Sequence, residues 1–205
     1  MQVLDGTSYM WFGASDGTNG TEPWVTDGTP GGTTMITDLN PGAPSSSPRE
    51  FFIIPSLFTI ILFSAETSAA GREPYVMAAG GMPSLVSNIN PASASSNPYG
   101  FSYNAAQTKI IFAAKTNAQG TEPWQTNFIS TGIVKDIDAG SAVAPFPFMT
   151  GLSTGNVFSK VTIGVGVFNV KVYNTDGTNG GTTEIKSLDC LPGGYLGFIN
   201  SEFVK

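Results

Sequence analysis

The sequence contains no histidine and only one cysteine among its 205 residues. Without histidine, the usual base that activates a catalytic serine or cysteine is missing. One cysteine cannot form a disulfide within the chain, and with no histidine beside it a zinc cluster is excluded. We therefore expect a protein that is not an enzyme.

Charged side chains are also scarce. They make up 12% of the residues, against about 25% in ordinary globular domains. The nine Lys and Arg residues are scattered singly along the chain, and the formal net charge is −6. Nucleic-acid phosphates are bound by clustered cations, so we predict no nucleic-acid partner.

No apolar run has the length of a membrane-spanning helix, which needs about 20 residues. The most apolar stretch, FFIIPSLFTIILF, covers only residues 51–63 and is divided by Pro55 and Ser56. This pattern is typical of two buried strands joined by a tight turn, and we predict no membrane insertion. The first residues, MQVLDGTSYMW, lack the basic and apolar regions of a signal peptide. We expect either a cytosolic chain or a mature form or fragment of an exported protein.

An internal repeat is the dominant feature of what is present. Glu22-Pro23-Trp24 recurs as Glu73-Pro74-Tyr75 and as Glu122-Pro123-Trp124, and Tyr173 follows at the same interval. The aromatic residues of these copies lie 51, 49 and 49 positions apart. Abundant glycine (25) and proline (14) separate short apolar runs, which favours short strands joined by tight turns.

Four copies of about 50 residues, each with four short strands, indicate an all-β fold of the β-propeller type. We predict one repeat domain over residues 1–205, with four-stranded antiparallel blades at about 1–50, 51–100, 101–149 and 150–198. Residues 199–205 repeat the opening strand of a blade, and this extra strand would close the ring. A segment of a longer array, or a larger ring completed by other chains, is the alternative.

The repeat resembles a known family. An aromatic strand, DGTNGTE, an aromatic residue, TDGT, GTT and DLNPG follow one another in the first copy, and this order is similar to the ELWxxDGT repeat of large secreted bacterial proteins. The resemblance covers the whole chain and weakens after the first copy. It implies a β-propeller-like architecture and an extracellular or cell-surface location, and it implies no reaction. The Asp-Gly-Thr is replaced by MAAGG at residues 77–81 and by Asn127-Phe128-Ile129 in the third copy.

The repeated aromatic residue has two interpretations. Its flat ring could line a sugar-binding cleft between blades. A large ring that is present in every copy, directly before a turn, favours instead a structural role in which it packs between adjacent blades. The residues concerned are Trp24, Tyr75, Trp124 and Tyr173.

Three glutamates share one position of the repeat: Glu22, Glu73 and Glu122, with Lys171 in the fourth copy. If this position faced a central axis, the carboxylates would repel one another and favour a cation. We favour a local role, in which each carboxylate accepts backbone N–H bonds from the preceding loop.

One loop bears a loose likeness to a calcium site. Asp16, Thr18 and Glu22 carry oxygen atoms at alternating positions, and they are the candidate metal ligands, with Ca²⁺ as the candidate ion. No other cofactor is predicted. The alternative is a turn in which Asp16 bonds its own following backbone, and the same alternative covers Asp27 and Asp176.

The functional prediction is a rigid module of an extracellular or surface protein, used for protein interaction, adhesion or surface assembly. Other protein chains or copies of itself would be the partners. A lectin-like propeller that binds glycans is the second hypothesis, and a glycosidase or lyase with two facing carboxylates is the third. The candidate partner contact is an apolar-aromatic run in a long connection, formed by Pro145, Phe146, Pro147 and Phe148.

Overall fold

The computed structural model of the chain describes residues 2–3, 9–54, 59–137, 149–152, 155–164 and 167–190. Within these ranges the regular elements are all β-strands, and no helix is present, so none is long and apolar enough to cross a membrane. The strands are β1 (Gln2–Val3), β2 (Met10–Ser15), β3 (Thr21–Thr26), β4 (Thr34–Met35), β5 (Arg49–Ile54), β6 (Ile60–Thr67), β7 (Gly71–Ala78), β8 (Ser84–Leu85), β9 (Tyr99–Tyr103), β10 (Ile110–Thr116), β11 (Gly120–Thr126), β12 (Thr131–Ile133), β13 (Met149–Leu152), β14 (Gly155–Gly164), β15 (Val167–Thr175) and β16 (Thr183–Cys190).

These strands form four sheets of four strands each, and every sheet contains four consecutive strands in chain order. We number the sheets 1 to 4 along the chain. The described strand pairs are antiparallel, as in Ile54 opposite Ile60 between β5 and β6. The all-β class, the four four-stranded units and the two strands within residues 51–63 are therefore confirmed. The proposed closing strand at residues 199–205 lies outside the described residues.

Each sheet has two different faces, because side chains alternate along a strand and paired residues share a face. Phe12 lies opposite Trp24 in sheet 1, and Phe63 lies opposite Tyr75 in sheet 2. We call the face that carries the repeated aromatic the leading face. The opposite one is the trailing face, which in sheet 1 carries the pair of Trp11 and Val25.

Sheets 1 and 2, with residues 114–117, form one compact unit. The leading face of sheet 2 contributes Phe63, whose ring stacks on that of Tyr75 with 6.1 Å between the ring centres. Trp11, from the trailing face of sheet 1, belongs to the same buried cluster, and Val25 packs against it. The core of this unit is thus a face-to-face contact between two successive repeats.

The second compact unit contains most of sheet 3 and all of sheet 4. Phe158 and Tyr173 stack on the leading face of sheet 4, with ring centres 5.2 Å apart. The buried Asn156 donates from Nδ2 to Ser102 Oγ and to Tyr103 O, both at 2.9 Å, so polar bonds also join these two sheets. The prediction of a single domain stays a prediction.

Candidate functional site

The glutamate of the first repeat binds the loop that follows its own sheet. Glu22 is fully buried. Its Oε1 accepts the Ser46 N–H at 2.8 Å, while its Oε2 accepts the Ser46 hydroxyl at 2.6 Å and the Leu39 N–H at 2.9 Å. We call this arrangement of a buried glutamate and its loop donors the carboxylate clamp.

The second repeat builds the same clamp with one more bond. The carboxylate of Glu73 accepts the N–H groups of Ile89, Asn90 and Ser96 at 3.0 to 3.2 Å, and the Ser96 hydroxyl at 2.6 Å. Burial raises the pKa of Glu73 above its ordinary value, although the four hydrogen bonds act in the opposite direction. The local structural role is therefore found, but the predicted donor loop was wrong: the donors follow the glutamate in the chain.

A glycine two residues before each clamp glutamate lets the loop come close. Gly71 has a φ of 69°, and a Cβ atom there would lie 2.6 Å from the carbonyl oxygen of Ser93. Any other residue would be both strained and in collision with the loop backbone. The Gly-x-Glu spacing thus belongs to the clamp.

The clamp loops also bind the next repeat. Asn40 Oδ1 accepts the N–H and the hydroxyl of Ser68, both at 3.0 Å, and Ser46 O accepts the Glu66 N–H at 2.8 Å. The next repeat shows the same pattern, since Asn90 Oδ1 accepts the Asn117 N–H at 3.1 Å and Ser96 O accepts the Lys115 N–H at 2.9 Å. We call this set of bonds the repeat latch.

The third clamp includes a buried lysine among its described partners. Glu122 Oε2 accepts the Ile137 N–H at 2.8 Å, and Oε1 lies 3.0 Å from Lys160 Nζ. Both side chains of this ion pair are at most 1% exposed. Burial raises the pKa of Glu122, which the Ile137 N–H and the Lys160 ammonium partly offset. Sequence reasoning missed Lys160, and the signal was a lone cation inside the apolar strand VFSKVTIG.

Lys171, which the sequence marks as the odd member of the glutamate position, makes a different contact. Its Nζ lies 3.1 Å from Glu184 Oε2, and the two side chains are 41% and 37% exposed. Lys160 lies directly opposite Lys171 in the sheet. The lysine that pairs with Glu122 is therefore Lys160 on β14, and Lys171 at the glutamate position of the repeat lies on the adjacent strand β15.

The Asp-Gly-Thr segments are turns closed by their aspartates. Asp27 Oδ1 accepts the N–H and the hydroxyl of Thr29 at 2.9 and 2.7 Å, and Asp176 Oδ1 accepts those of Thr178 at 2.8 and 2.7 Å. The threonine bonds lower the pKa of both aspartates. The turn interpretation of these residues is confirmed.

The candidate calcium ligands have separate sets of partners. Asp16 Oδ1 accepts the N–H groups of Thr18 and Asn19 at 2.8 and 2.9 Å, and these bonds, that to Asn19 first, lower its pKa. Both oxygens of Glu22 are occupied by its clamp. In the described part of the chain, no group of three His, Cys, Asp or Glu side chains could hold a metal ion. The calcium site stays a prediction.

The third copy keeps the turn of the Asp-Gly-Thr segments, although Phe128 and Ile129 stand in place of the glycine and the threonine. Asn127 Oδ1 accepts the N–H groups of Ile129 and Ser130 at 3.0 and 2.8 Å, as an aspartate does in the other copies. Phe128 has a φ of 67°, where Gly28 has 88°. A side chain in this left-handed region costs about 1–2 kcal/mol. Phe128 is 38% exposed and Ile129 is 94% exposed.

The second copy exposes a methionine at the equivalent turn, beside a pocket. Met82 is 67% exposed. It lines a pocket of about 220 Å³ between sheets 1 and 2, together with Trp11, Met35 and Met77. Met77 is the first residue of the MAAGG segment, so this departure from the repeat lies at the pocket.

The repeated aromatics are not equivalent in exposure. Tyr75 and Tyr173 are buried, with 6% and 7% of their surface exposed. Trp24 and Trp124 are partly exposed, and in the described part of the chain their buried Nε1 atoms have no hydrogen-bond partner. The candidate contact at residues 145–148 lies outside the described residues.

Comparison with protein-family models gives no match to this chain, and a search of curated proteins gives none either. The resemblance to the ELWxxDGT repeat therefore rests on the residues quoted above.

Proposed function

We propose that the protein is a non-enzymatic repeat module that holds protein-binding residues on a rigid β scaffold. The observation that carries this proposal is the exposure of large apolar side chains at the two turns that depart from Asp-Gly-Thr. These residues are Met82 in the second repeat and Phe128 with Ile129 in the third. We call them the apolar tips.

The strain at Phe128 supports a functional role. The turn closes through Asn127 in the same way as its polar counterparts, and glycine occupies the equivalent position in two other copies with a φ of 88°. The turn itself therefore does not require a phenylalanine. Strained residues of this kind concentrate at ligand clamps and other functional sites, where the gain in function outweighs the cost in stability. A half-exposed aromatic next to an exposed isoleucine is a suitable anchor for a protein partner.

The clamps and latches supply the rigidity that such a platform needs. Each buried glutamate joins a strand to the loop behind it, and that loop joins the next sheet through Asn40 and Ser46 or through Asn90 and Ser96. Binding residues on loops are effective when a rigid scaffold positions them. Four such sheets support a β-propeller of the ELWxxDGT type, and with it an extracellular or cell-surface location, as parts of the same proposal.

No specific observation favours the glycan-binding alternative. Tyr75 and Tyr173 are buried, so neither ring offers a face for stacking on a sugar. Binding of the chain to a glycan array would nevertheless decide for a lectin, and hydrolysis of a polysaccharide would decide for the glycosidase or lyase.

The proposal is tested with an immobilised chain that captures proteins from the surface fraction of its source cells. We expect a protein that binds the natural chain and is lost by the double variant Phe128→Gly, Ile129→Thr, which restores the polar turn of the other copies. Purified, that protein should bind the double variant at least about tenfold more weakly. The matched control is Ile185→Thr, since Ile185 is 57% exposed but lies outside the tips. Equal binding by both variants would refute the role of the tips.

A further inference from the structure

Among the described residues, the centre of the leading face of sheet 1 is more exposed than the centres of the other three leading faces. Its central residue, Phe12, is partly exposed. The equivalent residues of the other sheets are Phe63, Phe112 and Phe158, and each is 0% exposed. A ring of this size that is buried in three repeats and partly exposed in the first indicates that this face is packed less completely than its counterparts.

Two further positions show the same difference. Met10 and Ala14 flank Phe12 on this face and are both partly exposed. Their counterparts in sheet 2, Ile61 and Ala65, are 0% exposed. The opening therefore extends along β2 rather than affecting one side chain.

The polar end of this face also lacks its latch. In the next repeat, the N–H groups of Glu66 and Ser68 donate to the preceding loop. The corresponding residues of the first repeat are Ser15 and Gly17, and both are exposed. Gly17 N–H donates to Ser15 Oγ at 3.1 Å, within its own turn. On the leading face of sheet 1, the apolar residues of β2 are thus partly exposed, and the residues equivalent to Glu66 and Ser68 are exposed.

The trailing face of sheet 4 is the complementary open surface. Val161 and Leu188 both lie opposite Val170, which puts all three on the face opposite Phe158 and Tyr173. Leu188 is 46% exposed, and Val161 and Val170 are partly exposed. On the trailing face of sheet 1, by contrast, Trp11 is 2% exposed because sheet 2 covers it.

We propose that these two faces bind each other between copies of the chain, so that the trailing face of sheet 4 in one copy covers the leading face of sheet 1 in the next. The contact would repeat the packing that already joins sheets 1 and 2, in which Trp11 shares a buried cluster with Phe63 and Val25 packs against that cluster. Each copy carries both halves, and both are apolar, so burial stabilises the contact at about 25 cal/mol per Å². The interface is heterologous, and it generates a ring or a filament.

This inference deepens the assembly part of the proposed function and rests on it. It assigns the partner as a second copy of this chain and the site as the two open faces, which are separate from the apolar tips. The surfaces can therefore be tested independently.

The experiment measures the mass of the full chain against concentration by analytical ultracentrifugation. We expect the natural chain to form dimers and larger species, and Phe12→Glu and Leu188→Glu each to weaken association at least about 100-fold, because each buries an unpaired carboxylate. An equimolar mixture of the two variants should form a 1:1 dimer, since each variant retains the half of the contact that the other has lost.

Ile129→Glu is the matched control, because it adds a carboxylate at a fully exposed tip and should leave the assembly unchanged. Circular dichroism verifies that the variants fold, and Val170→Glu replaces Leu188→Glu if that chain does not. A monomeric natural chain at all concentrations would overturn the inference. The inference would also be overturned if the natural chain stayed monomeric and both substitutions lowered its stability, because the two faces would then contact each other within one chain. The two proposals are distinguishable, because the double variant Phe128→Gly, Ile129→Thr should lose partner binding and keep its assembly.

Discussion

At the scale of single residues, the chain depends on charged groups that it buries. A carboxylate taken out of water is costly unless its oxygens are hydrogen-bonded. Glu73 meets this condition with four donors, three of which are backbone N–H groups of its own loop. Those N–H groups would themselves be buried without partners if the carboxylate were absent. The clamp therefore supplies hydrogen-bond partners both to the buried carboxylate and to the buried N–H groups of the loop.

The substitution Glu73→Gln tests this reciprocity. The amide group of glutamine places N–H donors against the donors of the loop, so at least one buried group loses its partner. We expect the free energy of unfolding to fall by about 1–3 kcal/mol, as measured by urea denaturation. Glu184→Gln is the matched control, because Glu184 makes a half-exposed ion pair with Lys171, and pairs of this kind contribute about 1 kcal/mol or less. Equal losses in both variants would contradict the clamp.

The same variant has a defined pH dependence. Burial raises the pKa of Glu73 above the ordinary value of 4.5, so the folded chain binds this proton more tightly than the unfolded chain does. The stability contributed by Glu73 is then fully present below the unfolded pKa and is lost as the pH rises through the folded pKa. Because glutamine does not titrate, the deficit of Glu73→Gln should be largest near about pH 4 and shrink toward about pH 8. A deficit that grows with pH would show that the pKa shift has the opposite sign.

At the scale of elements, the turns that follow the repeated aromatic share one hydrogen-bonding pattern but carry different exposed side chains. An aspartate or asparagine closes each of the described turns at Asp27, Asn127 and Asp176 by accepting N–H bonds from the residues that follow. This chemistry is local, so it could be predicted from the Asp-Gly-Thr pattern. The third turn keeps the geometry without the glycine, and sequence reasoning could not foresee that Phe128 would accept the left-handed backbone conformation.

The strain at this turn leads to a prediction that runs against the usual effect of removing a large apolar residue. Phe128→Gly should raise the free energy of unfolding by about 1 kcal/mol, because glycine adopts a φ of 67° without steric cost. Thermal unfolding followed by circular dichroism measures the change. The reciprocal control is Gly28→Ala, which should lose about 1 kcal/mol, since Gly28 has a φ of 88° but nothing within 4 Å of its missing Cβ. A Phe128→Gly chain that is less stable than the natural one would mean that the ring is packed and not strained.

At the scale of the whole molecule, the bonds between repeats run from each repeat to its neighbour. Repeat proteins of this kind are stabilised by nearest-neighbour contacts, so damage at one junction stays close to it. In the second unit, the buried Glu122 makes an ion pair with Lys160, whereas a serine hydroxyl bonds the glutamate in each of the first two clamps. This junction therefore contains a buried pair of opposite charges.

Lys160→Met removes the buried ammonium that lies 3.0 Å from the Glu122 carboxylate. We expect a loss of about 3 kcal/mol or more, because breaking a buried pair leaves an uncompensated charge. Hydrogen exchange should become faster in β11, β14 and β15 and stay unchanged in β2 and β3. Lys171→Met is the matched control, since its half-exposed pair should cost little. A uniform rise in exchange over all four sheets would contradict nearest-neighbour stability.

Local patterns were sufficient to predict the strands, their antiparallel order and the turns. Each of these depends on residues within about 50 positions of one another, and the repeat presents the same arrangement four times. The most apolar stretch illustrates this, because the two strands predicted within residues 51–63 are observed as Arg49–Ile54 and Ile60–Thr67.

The folded chain alone showed which partner each of those residues finds. The donors to Glu22 lie 17 and 24 residues further on, and the lysine that joins Glu122 lies 38 residues further on, beyond the reach of any local pattern. The exposed fraction of a side chain could not be predicted from the sequence either. Phe12 and Phe63 occupy the same place in the repeat, but Phe63 is buried and Phe12 is partly exposed. Similar local sequences specify similar strands, but burial depends on the neighbours that packing supplies.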